Sequence, residues 1–242
     1  RMLADHLLAR GIRRFICIIR KGDMGEKTTA THFARAVNKN GGKCETIRVP
    51  RLFAHSPECW RKTRSLVENW LQAQPPPVGI VPGIDILGRY VAQICDEMGL
   101  SVPRDVAIAG GYNEPSICLY PEPSLTSIEY GLDHVGYEAA RMMHGLLQGT
   151  HLEESTLYVP PQELIVRQSS DFVYVEEEIV SAEMQFIAKN ATRNLCVDDV
   201  SGAAGTSRRT LELRFEKHLG RSVAAEIRRV RLDQAKRLLA SS

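Results

Sequence analysis

Apolar residues along the first 110 positions switch between two periods. Residues 1–10 put Leu3, Leu7 and Leu8 on one helical face, and Gly11 follows as a stop. Phe15-Ile16-Cys17-Ile18-Ile19 is a short unbroken apolar run, the pattern of a strand buried on both faces. Ala30, Phe33, Ala34 and Val37 then recur at helical spacing over 27–39, and 43–49 is strand-like. Trp60, Leu66, Val67, Trp70 and Leu71 mark a helix over 57–73, which Pro75-Pro76-Pro77 breaks. Residues 78–81 and 106–109 read as two further buried strands, separated by a helix over 85–98 that Gly99 ends. Strands alternating with helices of ten or more residues predict βαβ units around a parallel sheet.

Beyond Pro123 the pattern changes. Residues 125–129 are strand-like, and Val135, Ala139, Met142 and Leu146 line one face of a long helix closed by Gly149, with Met142 and Met143 expected to fill core. Residues 156–159 and 163–167 read as strands. The acidic stretch 172–178 lacks helical periodicity and reads as a linker. After it, Ile179, Met184 and Ile187 begin a helix, and Val197, Val200 and Ala204 define a second that Gly205 closes. Ser207 is a good N-cap for a third, with Leu211, Phe215 and Leu219 facing inward, and Ser222 can cap a long fourth through Ile227, Val230, Leu238 and Leu239. Two short helices joined by a glycine-containing turn fit a helix-turn-helix.

Charge sharpens the division. The chain of 242 residues has a formal net charge of +2, yet residues 205–242 hold ten Lys/Arg against four Asp/Glu. Such asymmetry points to a nucleic-acid-binding segment, the alternative being a solvated helical face. The six cysteines show no CxxC pair, which argues against a zinc site or disulfide framework and fits a reducing cytoplasm. No apolar run approaches the ~20 residues of a membrane span. The segment 22–28 fails the phosphate-loop pattern because Glu26 separates Gly25 from Lys27. Neither a nucleophile–base constellation nor metal-ligand spacing is recognisable, so no enzyme, metal or cofactor is expected. In open parallel sheets ligands bind beyond the carboxyl ends of the strands. Here that means the loops 20–27, 82–87 and 110–116, with Lys21, Asp23, Glu26, Asp85, Tyr112, Asn113 and Glu114, a donor and acceptor set suited to a polyhydroxyl ligand.

The segment "VPRDVAIAGGYNEPSICLYPEPSLTSI", with "GYEAARMMHGLLQG" and "VPPQELIVRQSSD", resembles the LacI/GalR effector domain in the form found in xylose-operon regulators, a periplasmic-binding-protein-like fold. The resemblance covers residues 1–171. It implies that the N-terminal half of that domain is absent here, and it implies sugar contacts at Asp85, Tyr112, Asn113 and Thr29. Asp85 matches an acidic position of the family. Tyr112 stands where a carboxylate is common, and Thr29 where an arginine is. Residues 179–242 are similar to the AraC/XylS-type DNA-binding region, through "DDVSGAAGTSRRTLELRFEKHLGRSVAAEIRRVRLDQAKRLL". Its second helix-turn-helix would lie beyond Ser242. This likeness implies DNA contacts at Ser207, Arg208, Arg209, Glu212, Leu213, Arg214 and Arg221, with Arg221 on a phosphate and Leu213 at a usually polar, base-facing position.

The expected molecule is therefore an α/β, parallel-sheet sensor followed by a small all-α helix-turn-helix domain. It would be a cytoplasmic transcription regulator with DNA and a sugar-like effector as partners, and a homodimer when complete. A carbohydrate-binding protein without a DNA role and an unrecognised α/β enzyme are the alternatives.

Overall fold

The computed structural model describes residues 1–50, 56–120, 122–149, 156–172 and 178–240. The chain separates into two compact units, Arg1–Phe172 and Val173–Ser242. The predicted linker 172–178 falls mostly outside the described residues.

The first unit is a six-stranded sheet built from β1 (Arg14–Arg20), β2 (Lys43–Val49), β3 (Val78–Pro82), β4 (Val106–Gly111), β5 (Thr126–Glu129) and β6 (Glu163–Ile165). Their order is β2-β1-β3-β4-β5-β6, with the first five parallel and β6 antiparallel to β5. The apolar runs of β1, β3 and β4 are buried because helices cover both faces. Helices α1 (Met2–Ala9) and α2 (Met24–Lys39) place Leu3, Leu7, Phe33 and Val37 against Phe15, Cys17 and Ile19. Helices α3 (Pro57–Ala73) and α4 (Asp85–Glu97) place Val67, Trp70, Leu87, Val91 and Ile94 against Ile16, Ile18, Ile80 and Ile108. The strand order reverses between β1 and β3, which makes their carboxyl ends the switch point where a doubly wound sheet opens a crevice.

Four expectations change. Helix α2 starts at Met24 rather than 27, because the Asp23 side chain accepts the Glu26 amide at 3.0 Å and caps it. The loop expected over 110–116 ends in a four-residue helix, α5 (Pro115–Cys118). Residues 156–159 form no strand, and the last strand is confined to 163–165. The long helix α6 (Leu132–Leu147) forms as predicted but buries none of its residues, so Met143 is exposed instead of filling core.

One connection ties the start of this unit to its end. His6 Nε2 lies 2.7 Å from Ser170 Oγ, which donates onward to Thr126 Oγ1 at 2.7 Å. Because Ser170 donates to Thr126, His6 Nε2 is the donor to Ser170. Burial, aided by Arg10 and opposed by Asp171, lowers the His6 pKa to about 4.

The second unit contains α7 (Glu178–Asn190), α8 (Val197–Ala203), α9 (Arg208–Leu219) and α10 (Val223–Ala240). Of the positions that helical spacing assigned, Met184, Ile187, Val197, Val200, Leu211, Phe215 and Ile227 are buried, Ala204, Leu219 and Val230 are half-buried, and Val180 and Val223 join the core. Ile179, Leu238 and Leu239 have no described side-chain surroundings.

Candidate functional site

A cavity of about 300 Å³ opens at the carboxyl ends of β1, β3 and β4, at the small end of the range for small-molecule sites. Cys17, Ile19, Val81 and Pro82 form its floor, Gly110, Gly111 and Tyr112 one wall, Glu26, Thr29 and Ala30 of α2 another, and Tyr130 and Val135 its rim. Its lining is largely apolar. Two aromatic rings meet edge to face there, Tyr112 and Tyr130, 5.2 Å apart at 60°. The glycines let these groups close in. A Cβ on Gly111 would stand 2.9 Å from the Tyr130 ring, and one on Gly83 would collide with the Glu26 carboxylate. Glu26 is itself buried and held by Arg20, whose amide and Nε donate to it at 2.6 and 2.5 Å.

Behind the Gly110 wall runs a polar network. Asp85, in the first turn of α4, is 3% exposed. Its carboxylate accepts from Ser127 Oγ at 2.7 Å and from the Glu114 amide at 2.9 Å. Burial pushes its pKa up, while these two bonds pull the other way. The α4 N-terminus also favours a negative charge at this position. Asn113 sits one layer out. Its amide donates to Ser127 Oγ at 3.0 Å, its Nδ2 donates to Glu129 at 3.0 Å, and its Oδ1 accepts from Arg167 at 2.6 Å. Arg167 also donates to the Leu125 carbonyl at 2.7 Å.

The network over-determines a strained turn. Tyr112 and Asn113 have φ of 93° and 51°, left-handed values that asparagine tolerates and tyrosine rarely adopts. Such a conformation costs about 1–3 kcal/mol and persists where the surroundings enforce it. Here the Tyr112 amide is fixed on the Ile128 carbonyl at 3.0 Å, and the Asn113 side chain is held at both ends.

Of the four residues expected to meet an effector, Thr29 and Tyr112 line the cavity, while Asp85 and Asn113 stand behind it in the network. A Cβ on Gly110 would lie 3.1 Å from Asp85 Oδ1, so one glycine separates that carboxylate from the cavity. The reading of the sequence missed Tyr130, Ser127, Glu129 and Arg167.

In the second unit, Ser207 caps α9 by accepting the Thr210 amide at 3.2 Å. Arg208, Arg209 and Leu213 are exposed, and Arg208 makes a 3.3 Å ion pair with Asp198. Arg209 and Leu213, four apart, share a face of α9. Arg214 is half-buried. Two residues have structural partners instead of open faces. Glu212 accepts the Val223 amide at 3.1 Å and thereby caps α10. Arg221 holds the buried Glu226 at 2.5 Å, and Arg229 holds the same carboxylate at 2.8 Å.

Comparison with known proteins finds relatives of both the sequence and the fold. The xylose operon regulatory protein of Escherichia coli (strain K12) is 32% identical over 187 residues, 77% of this chain and 48% of that protein. The arabinose metabolism transcriptional repressor of Geobacillus stearothermophilus is 26% identical over 171 residues, 70% of this chain and 46% of that protein. A solved structure described as the xylose-binding transcription activator xylR superposes with a TM-score of 0.66 at 28% identity, covering 98% of this chain and 63% of the other. The chain thus spans about half the length of the curated relatives it matches. The periplasmic binding protein-like domain family matches residues 4–170, the span that holds the sheet and its cavity, and this chain belongs to that family.

Proposed function

We propose that this chain carries the effector-sensing and DNA-reading parts of a sugar-responsive transcription regulator of the xylose-regulator type. The observation that carries the reading is the pairing, in one chain, of an aromatic-walled cavity at a sheet switch point with a separately folded helix pair bearing exposed arginines at the start of its second helix. The names of the relatives support it, since those proteins are sugar-operon regulators.

In this reading residues 1–171 are the sensor and 179–242 an AraC/XylS-type helix-turn-helix. Tyr112 and Tyr130 would pack on the apolar face of a sugar ring, Thr29 would meet a hydroxyl, and Asp85 and Asn113 would hold the Tyr112 turn in its strained form. Threonine and tyrosine replace the charged groups of related sensors, so the preferred hydroxyl pattern should differ from that of D-xylose. A sugar hydroxyl buried without its partner loses about 1–3 kcal/mol.

On the DNA side, helix-turn-helix proteins read bases with the N-terminal residues of the second helix. Arg208 and Arg209, both exposed, would make the guanine contacts, and the exposed Leu213 would meet a thymine methyl. Glu212 and Arg221 serve the turn into α10 and so set the helix that carries the contacts. A homodimer would read two half-sites. Calorimetry of the gene product with a pentose and hexose panel, alongside selection of its binding site from random DNA, tests both halves. Saturable binding of a monosaccharide together with a recovered consensus is the expected result. A protein that selects no DNA sequence, or turns over a sugar, contradicts the reading.

A further inference from the structure

Two sulfurs lie side by side on the face of the sheet that α1 and α2 cover. The register of β1 on β2 sets Phe15 opposite Cys44 and Cys17 opposite Thr46, so Cys17 and Cys44 are diagonal neighbours pointing to the same side. Their Sγ atoms are 3.7 Å apart, and both thiols are free. Cys17 is buried and forms part of the cavity floor, while Cys44 is half-buried on β2, which is an edge strand. We propose that Cys17 and Cys44 are a peroxide-reactive pair that closes to a thiol-reversible disulfide in the floor of the cavity.

Geometry carries the pairing. A disulfide needs its sulfurs at about 2.05 Å, so closure asks them to approach by roughly 1.7 Å. Diagonal Cα positions in a sheet are about 7–8 Å apart, slightly wider than the usual disulfide span, so part of that approach must come from the backbone. β2 can supply it. Among the described residues it pairs only with β1, and four of its seven residues are exposed.

Chemistry assigns the order of events. Either sulfur can donate across the 3.7 Å contact; with the buried Cys17 as donor, the Cys44 thiolate is stabilised and the Cys17 thiol is held up. The Cys44 thiolate, also the more accessible of the two, attacks a hydroperoxide. The O–O bond breaks, an S–O bond forms, and the departing oxygen leaves as the alcohol or water after taking a proton. The Cys17 sulfur then attacks the sulfenic sulfur of Cys44. The S–O bond breaks, and hydroxide leaves as water with the Cys17 proton. Two thiols and one hydroperoxide give one disulfide, one alcohol or water and one further water, and two electrons pass from sulfur to the peroxide. Cys95 and Cys118, buried in the opposite core and pushed up to about 12, serve as internal references that should stay reduced.

The test treats the reduced 242-residue chain with stoichiometric hydrogen peroxide, blocks the remaining thiols with iodoacetamide and maps peptides without reduction. The expected result is a cross-linked peptide pair carrying Cys17 and Cys44, lost on dithiothreitol and absent in C44S. In C17S the reaction should stop at a dimedone-reactive sulfenic acid on Cys44. Cys17 lies in the core, so the unmutated chain supplies a second measurement. Before oxidation, iodoacetamide should label Cys44 about tenfold faster than Cys17 or Cys95. Over-oxidation of Cys44 with Cys17 still open to alkylation overturns the proposal. So does cross-linking of Cys44 to Cys59 or Cys196, or faster labelling of Cys17.

Discussion

The two units treat their polar residues in opposite ways. In the first, Asp85, Asn113, Ser127 and Arg167 are bonded to one another behind the cavity wall, and Asp85 and Ser127 are fully enclosed. In the second, Arg208, Arg209 and Leu213 stand on the surface, and what is buried is support, such as Glu226 between two arginines. The difference follows from the partners proposed. A small uncharged ligand gives little binding energy, so its pocket must be pre-formed and its strained turn held before the ligand arrives. A polyanion attracts exposed cations over a distance and needs only a helix set at the right angle. Substitutions in the first unit should therefore strike stability and ligand binding together, whereas those on the surface of the second should strike recognition alone.

The sharpest break of this contrast is Asp85→Ala. It leaves Ser127 Oγ and the Glu114 amide without their acceptor in a closed site, and each orphaned group costs about 1–3 kcal/mol. A loss of about 3 kcal/mol in urea unfolding of the first unit is expected, along with loss of ligand binding. A variant of unchanged stability would show that the network is not a support.

Acid gives the next effect, through His6. Above pH 6.5 the ring is neutral in both folded and unfolded chains. Between 6.5 and about 4 the unfolded chain takes up a proton that the folded one refuses, so stability falls as the pH drops through that window. The contribution lost by pH 5 is about 2 kcal/mol. Unfolding midpoints of wild type and His6→Gln at a series of pH values check this. The variant should lose less stability than wild type on acidification, and parallel curves would refute the assignment.

Ser207→Ala removes the cap of α9 and should cost the second unit about 1 kcal/mol, read from its thermal midpoint. Arg209→Ala is the smallest in stability, within about 0.5 kcal/mol, because the side chain is exposed. Its effect should appear in sequence selection instead, as about 1–3 kcal/mol less discrimination at one or two operator positions. Selection with an unchanged consensus would mean that α9 is turned the other way.

What the sequence revealed follows the range of the interactions. The apolar runs of β1, β3 and β4 and the stripes of α8 and α9 are local patterns, and each folds as its period requires. The earlier start of α2 was also legible, because Asp23 and Glu26 stand three apart as a cap and its partner. Tyr130 and Arg167 were not. Arg167 reaches Asn113 across 54 positions, and Tyr130 meets Tyr112 only because β4 and β5 are neighbours. The α6 pattern gave a correct amphipathic helix but no information on what its apolar face meets. Asp85 stands both beyond a strand end and at the family's acidic position, and neither pattern shows that Gly110 lies between it and the cavity.

The most direct test of the central claim is whether the two units communicate through a sugar. The dissociation constant of the gene product for its selected DNA should be measured at fixed salt with and without each saturating monosaccharide of the panel. At least one sugar should shift that constant by about fivefold or more, the usual floor for coupled sites. The same sugar should cause no shift in a variant whose cavity is filled by Gly111→Leu, provided that variant still binds the DNA. A protein that binds its DNA with one affinity whatever sugar is present would contradict the claim.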